Sequence, residues 1–160
     1  MPDKKGPGPG EKVLAINRQA SHNYYLDERI EAGVVLTGTE VKSARGGQVQ
    51  LRDSHAIVKD GEVWLLQCHI IPYAQGNLFN HEPTRTRKLL LRKEQIRRLI
   101  GKVRERGLTL IPTRLYLKNG RIKVEVAVAK GKRDYDKRET ERRREADKEA
   151  RLAMRQRKQN

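Results

Sequence analysis

A small, mainly-β barrel covered by one helix is the fold class this sequence predicts, and three observations carry that reading. Two dipeptides, Asp60-Gly61 and Asn119-Gly120, supply the positive φ angles of two-residue hairpin turns. Beside the second turn, Ile122, Val124, Val126 and Val128 alternate with polar residues, so they share one face of a strand. One stretch, Lys93–Arg106, switches to helical period, with Ile96, Leu99, Ile100 and Val103 at i, i+3, i+4 and i+7. Several short strands with turn signals and one covering helix make a small closed barrel of the oligonucleotide-binding type.

Taken in order, residues 1–12 read as a flexible arm, because Gly6-Pro7-Gly8-Pro9-Gly10 forbids regular structure. Gly33–Leu36 is a short apolar run, and Thr39–Ala44 is a short helix closed by Gly46-Gly47. Val49 and Leu51 alternate with polar neighbours. His55–Lys59 and Glu62–Leu66 flank Asp60-Gly61 as a hairpin. Gly107 stands where a helix C-terminal cap belongs. Thr113–Leu117 leads into the Asn119-Gly120 turn and the strand Arg121–Ala129, with Pro112 marking an edge or a bulge. The domain division is therefore 1–12 arm, 13–129 barrel and 130–160 tail.

Charge narrows the function. The chain has 160 residues, 36 Lys and Arg against 20 Asp and Glu, a net charge of +16 and an isoelectric point of about 10.3. So one-sided a balance points to RNA or DNA, and less strongly to an anionic membrane; binding through phosphates falls steeply with salt. Residues 130–160 hold 13 Lys and Arg against 7 Asp and Glu, a difference of +6. With one tyrosine and a few alanines to bury, this segment does not offset its own ordering entropy. It is expected to lack order, or to be marginally helical, until it meets a polyanion. The seven aromatics are Tyr24, Tyr25, Trp64, Tyr73, Phe79, Tyr116 and Tyr135. That is few for base-by-base reading of a single strand, and favours folded RNA read by shape and phosphate. Trp64 and Tyr116 sit in strand patterns and read as core, whereas Tyr135 in the tail has no core to join.

Ten Lys and Arg lie between Arg85 and Arg106, against Glu94 and Glu105. Strand alternation places Arg85 and Arg87 on one face, where phosphate contact is expected. Enzyme chemistry is poorly supported. Asp53-Ser54-His55 has the residue types of a hydrolytic triad, but neighbours on a strand point to opposite faces. Cys68-His69 and His81-Glu82 lack metal-site spacing, and Gly46-Gly47 lacks the Lys-Ser/Thr of a phosphate loop. No metal, cofactor or catalytic group is therefore expected. Cys68, alone in the chain, reads as a buried and inert thiol that suits a reducing cytoplasm. No run approaches the ~20 apolar residues of a membrane span, and Met1–Gly10 lacks the apolar segment of a secretory signal.

In this order along the chain stand Asn17-Arg18, His22-Asn23-Tyr24, Glu31-Ala32-Gly33, Gly38-Thr39-Glu40-Val41-Lys42-Ser43, Arg45 and Asp53-Ser54. Arg85-Thr86-Arg87-Lys88-Leu89-Leu90-Leu91, Gly101-Lys102-Val103, Ala129-Lys130-Gly131-Lys132 and Asp136-Lys137-Arg138 follow. Together these resemble the small protein B (SmpB) family, which binds transfer-messenger RNA in bacterial ribosome rescue. The resemblance implies a six-stranded oligonucleotide-binding barrel with one or two flanking helices, monomeric when free and not an enzyme. It implies an adaptor that grips the tRNA-like domain of the RNA, supports charging by alanyl-tRNA synthetase, and enters stalled ribosomes with elongation factor Tu and GTP. The tail, by the same resemblance, is disordered when free and becomes helical in the empty mRNA channel.

Carried onto this chain, the RNA face comprises His22, Tyr24, Glu31, Lys42, Ser43, Arg45, Arg85, Arg87, Lys88, Leu90 and Arg92. Lys130, Gly131, Lys132, Tyr135, Asp136, Lys137 and Arg138 serve the decoding centre and mRNA path. Glu31 accepts hydrogen bonds from RNA, or alternatively orients a neighbouring cation. Two departures stand out: Gln19 and Ser21 replace residues that are often basic in the family, and Arg92 replaces a usual His or Asn.

Overall fold

The computed structural model describes residues 8–76 and 80–159, apart from the side chains of residues 105, 106 and 159. The flexible arm expected at residues 1–12 thus falls partly on residues 1–7, which lie outside the described residues, as does Phe79. Among the described residues the elements run β1 (Glu11–Ile16), α1 (Ala20–Asn23), β2 (Tyr24–Val34), α2 (Gly38–Arg45), β3 (Val49–Gln50), β4 (His55–Lys59), β5 (Glu62–Leu66) and β6 (His69–Ile70). They continue with β7 (Arg87–Leu90), α3 (Lys93–Arg106), β8 (Thr109–Lys118), β9 (Arg121–Gly131) and α4 (Asp134–Gln159).

All strand pairs are antiparallel, and the main sheet runs β1-β8-β4-β5-β7-β2-β9. A further pairing of β8 with β9 closes β8-β4-β5-β7-β2-β9 into a ring of six strands, with β1 added outside on β8. Closure removes the unpaired edges that an open sheet of this size would present. The short β3 and β6 pair separately, Val49 with Ile70.

Local chemistry forms these elements as expected. Asp60 and Gly61 take φ of 54° and 71°, and Asn119 and Gly120 take 50° and 78°. Both turns thus join their strands with left-handed residues that match the sheet twist. Pro112 lies at a register shift between β8 and β9, so the sheet absorbs its missing N–H as a bulge. In α3, Ile96 and Leu99 are buried and Ile100 and Val103 pack on the core. Gly107 ends the helix in the left-handed region at φ 61°. At its start, Gln95 Oε1 accepts the Arg92 backbone N–H at 3.0 Å, satisfying a donor the helix leaves orphaned. Within the ring, Val63, Leu65, Leu89, Leu110, Val124 and Val128 are excluded from water. Each such side chain contributes about 1.5–3 kcal/mol by burial.

Three boundaries differ from the sequence reading. β1 begins at Glu11, because Gly8 and Glu11 close a local turn (Glu11 N–H to Gly8 O, 3.0 Å) and Gly10 O accepts the Asn119 N–H at 3.4 Å. β9 runs on to Gly131, because Tyr24 and Tyr25 of β2 pair with Gly131 and Lys130. The apolar run at Gly33 is only the end of an eleven-residue strand, whose polar Asp27-Glu28-Arg29 segment hides a bulge.

The tail is a continuous helix, α4, whereas composition alone gives it no core to order against. Its residues from Glu141 to Lys158 are exposed. Two local features favour the helical conformation. Asp134 and Asp136 sit in the first turn and Arg157 and Lys158 in the last, complementing the helix dipole. Glu139 and Arg143 pair at 3.0 Å across one turn.

Candidate RNA interface

α2 presents Lys42 and Arg45 outward, and a buried charge cluster beneath it holds the helix to the barrel. Glu40 has no exposure and lies under α2. One oxygen, Oε1, accepts the Thr37 backbone N–H at 2.9 Å and Arg85 Nη2 at 2.6 Å. The other accepts Arg87 Nε. Arg87, also without exposure, donates further to Cys68 O at 2.7 Å and to Pro83 O at 3.1 Å. Burial opposes the charge on Glu40, but the bonds from Arg85, the Thr37 backbone and Arg87 outweigh it and hold the carboxyl below its ordinary range.

This cluster corrects two sequence expectations. Arg85 and Arg87 do share a face, but it is the inward face, so Arg87 is closed to phosphate and acts as a strut between α2, β7 and the Cys68 and Pro83 carbonyls. Ser43 is buried as well, which removes it from direct RNA contact. Arg85 is partly exposed while bound to Glu40 and to Val35 O. Cys68 is buried against the same cluster, and desolvation pushes its thiol up to about 11. Cys68 is therefore expected to react with a thiol reagent at pH 8 only at the rate of unfolding, and fully in denaturant. Rapid stoichiometric labelling of the native protein would contradict that burial.

A second group of candidates converges on an open cleft of about 650 Å³, lined by Glu31, Leu90 and Arg92 together with Gln95 and Lys123. Leu90 is 53% exposed, a large apolar side chain facing water at the cleft's edge. Arg92 lies exposed at the start of α3. Glu31 Oε1 accepts Tyr116 Oη at 2.5 Å and Lys118 Nζ at 3.2 Å. The Tyr116 bond first, with Lys118 adding to it, keeps the Glu31 carboxyl below its ordinary range despite partial burial. Lys88, half-exposed, pairs with Glu62 at 3.6 Å.

Lys123 and Gln95 carry no mark in the sequence, and Tyr116 reads there only as core. Alternation in β9 already turns Lys123 away from Ile122 and Val124. What the sequence does not reveal is the register Gly33↔Lys123, which carries it to Glu31.

The remaining candidates gather where α4 meets α1. His22 Nε2 lies 2.8 Å from Glu141, and Arg144 donates to Ser21 Oγ at 2.7 Å. Lys132 Nζ donates to Ser21 O and Thr140 Oγ1, each at 2.9 Å, and stands 4.9 Å from the Tyr25 ring centre. Burial, then repulsion from Arg144, lowers the Lys132 ammonium from its ordinary value. Burial, then a hydrogen bond with Asp136, raises the Tyr25 phenol. Tyr24 is half-buried against Ala20, Ile111 and Ala129. Tyr135 is 73% exposed, and Lys130, Gly131 and Arg138 are exposed, whereas Asp136 and Lys137 are half-buried. Thus the candidates form two surfaces, one around Glu31 and α2 and one at the root of α4. Among the described residues no group of three or more His, Cys, Asp and Glu side chains is placed to hold a metal ion. No described helix is long and apolar enough to cross a membrane.

Comparison with known proteins agrees with the resemblance read from the motifs. The family model described as SmpB protein matches residues 14–156. The SsrA-binding protein of Geobacillus kaustophilus (strain HTA426) is 56% identical over 153 residues, covering 96% of this chain and 97% of its own length. That of Desulfitobacterium hafniense (strain DSM 10664 / DCB-2) is 58% identical over 130 residues, covering 81% of this chain and 83% of its own. A solved chain from the structure described as "tmRNA-SmpB: a journey to the center of the bacterial ribosome" is 46% identical with a TM-score of 0.65, covering 81% of this chain and 94% of that one. With a match that spans ring, α3 and most of α4, the chain belongs to the SmpB protein family.

Proposed function

We propose that this protein binds the tRNA-like domain of transfer-messenger RNA and delivers it to stalled bacterial ribosomes for trans-translation. The observation that carries the reading is the family match over nearly the whole chain, joined to a solved neighbour whose description names tmRNA-SmpB and the bacterial ribosome. The cationic surface around α2 and the Glu31 cleft takes the RNA. The root of α4, from Lys130 to Arg138, serves the decoding centre, and the rest of the helix enters the mRNA channel. Delivery with elongation factor Tu and GTP, and support of alanyl-tRNA synthetase, belong to the same reading, as does action in the cytoplasm. The protein contributes binding and geometry rather than bond-making.

Competition tests this directly. Labelled transfer-messenger RNA bound to the protein is expected to resist a 100-fold excess of bulk tRNA, and binding is expected to weaken as salt rises. Complete displacement by bulk tRNA would instead identify a general RNA-binding protein.

A further inference from the structure

We infer that Tyr116 is a positioning residue for RNA recognition, because its hydroxyl fixes the Glu31 carboxylate with one oxygen engaged and the other open to the cleft. The inference rests on the functional reading above and adds a residue that the motifs do not mark.

Both hydrogen bonds made by Glu31, from Tyr116 Oη and Lys118 Nζ, fall on Oε1. Among the described residues Oε2 has no hydrogen-bond partner, and Glu31 lines the cleft beside Leu90, Arg92, Gln95 and Lys123. A carboxylate oxygen among cations is ordinarily drawn to the nearest ammonium, and lysines are long and adaptable. Tyr116 opposes this because it is rigid. It is only 2% exposed, and the Arg114 guanidinium stacks 4.2 Å from its ring centre. Arg114 is itself held by Glu11 at 3.3 Å and Glu125 at 3.5 Å. The phenol thus stands on a fixed platform and donates to one oxygen. The open oxygen is an acceptor only, so it selects an N–H or hydroxyl donor on RNA, such as a base amino group or a ribose hydroxyl. Phosphate is repelled at that point and is left to Arg92 and Lys123.

Tyr116→Phe keeps the ring and its stacking but removes the donor. Freed from it, Glu31 is expected to turn toward Lys118 and Lys123, and affinity for transfer-messenger RNA to fall about tenfold. The salt slope should stay unchanged, because no phosphate contact is lost. Measurements with Glu31→Ala, which leaves no acceptor for the phenol, and with the double variant separate positioning from mere stability. If Tyr116 acts through Glu31, Tyr116→Phe costs nothing further in the Glu31→Ala background. Unchanged affinity in Tyr116→Phe, or a full additional loss in the double variant, would overturn the inference. Thermal unfolding of each variant confirms that binding is compared between folded proteins. A wild-type protein that does not bind transfer-messenger RNA would refute the functional reading, and this inference with it. Wild-type binding with no effect of the Phe variant would refute this inference alone.

Discussion

Arg87→Ala is expected to lower the thermal unfolding midpoint by about 6–20 °C at pH 7. Removing one partner of a buried ion pair costs roughly 3–5 kcal/mol, and each kcal/mol moves a chain of this size by about 2–4 °C. The loss is large because Glu40 remains buried with a charge that only Arg85 and the Thr37 backbone then hold. The Cys68 and Pro83 carbonyls also lose their donor. Arg87→Lys is expected to recover little, since an ammonium cannot span both the carboxylate and the two carbonyls. The pH dependence has a definite sign. Glu40 is held below its ordinary range in the folded state, so its contribution is complete above the unfolded carboxyl value of about 4.3. It is lost as pH falls through the lower folded value. Losing Arg87 raises the Glu40 carboxyl in the variant, so the gap between wild type and Arg87→Ala should be widest at neutral pH and narrow as pH falls and Glu40 is protonated. Calorimetry from neutral pH into acid decides the matter. A variant as stable as wild type, with a shallower salt dependence of RNA binding, would return Arg87 to the phosphate surface.

Truncation after Gly131 is expected to abolish peptide tagging on stalled ribosomes while leaving affinity for transfer-messenger RNA within about threefold. The six-strand ring closes through β8 and β9 without any part of α4. The helix meets the body through hydrogen bonds with His22 and Ser21 of α1, and its residues from Glu141 to Lys158 are exposed. Loss of 12 Lys and Arg against 7 Asp and Glu removes a net charge of +5, so non-specific RNA attraction should weaken as well. Gel shifts with the tRNA-like domain, run beside a tagging assay on a message without a stop codon, separate the two surfaces. Joint loss of both activities would mean that the root of α4 is part of the primary RNA site.

These two predictions mark where sequence reading succeeds and where it stops. The hairpin turns, the α3 stripe and the Gly107 cap were legible because each depends on residues within one or two turns of chain. The six strands of the ring were countable through the family resemblance, but β2 was seen only at its end, because Asp27-Glu28-Arg29 interrupt its alternation at a bulge. Of the candidate RNA face, Lys42, Arg45, Leu90 and Arg92 are exposed, whereas Ser43 and Arg87 are buried. The alternation that grouped Arg85 with Arg87 was correct about their shared face, yet it carries no information about which face is inward. An arginine-rich strand looks cationic and external until a carboxylate is supplied from elsewhere.

By itself, then, the sequence determined the barrel class, the positions of the turns, the covering helix, the cationic character and the family to which the chain belongs. All follow from local backbone preference, side-chain period, summed charge or ordered motifs. Only the tertiary structure decided what the charged residues do. Glu40 meets Arg87 across 47 residues, Glu31 meets Tyr116 across 85, and His22 meets Glu141 across 119. An ionised side chain serves as a strut, a reader or a surface cation according to its desolvation and its partners. Both are properties of the closed ring and the helices packed on it, set by strand register rather than by neighbours in the chain.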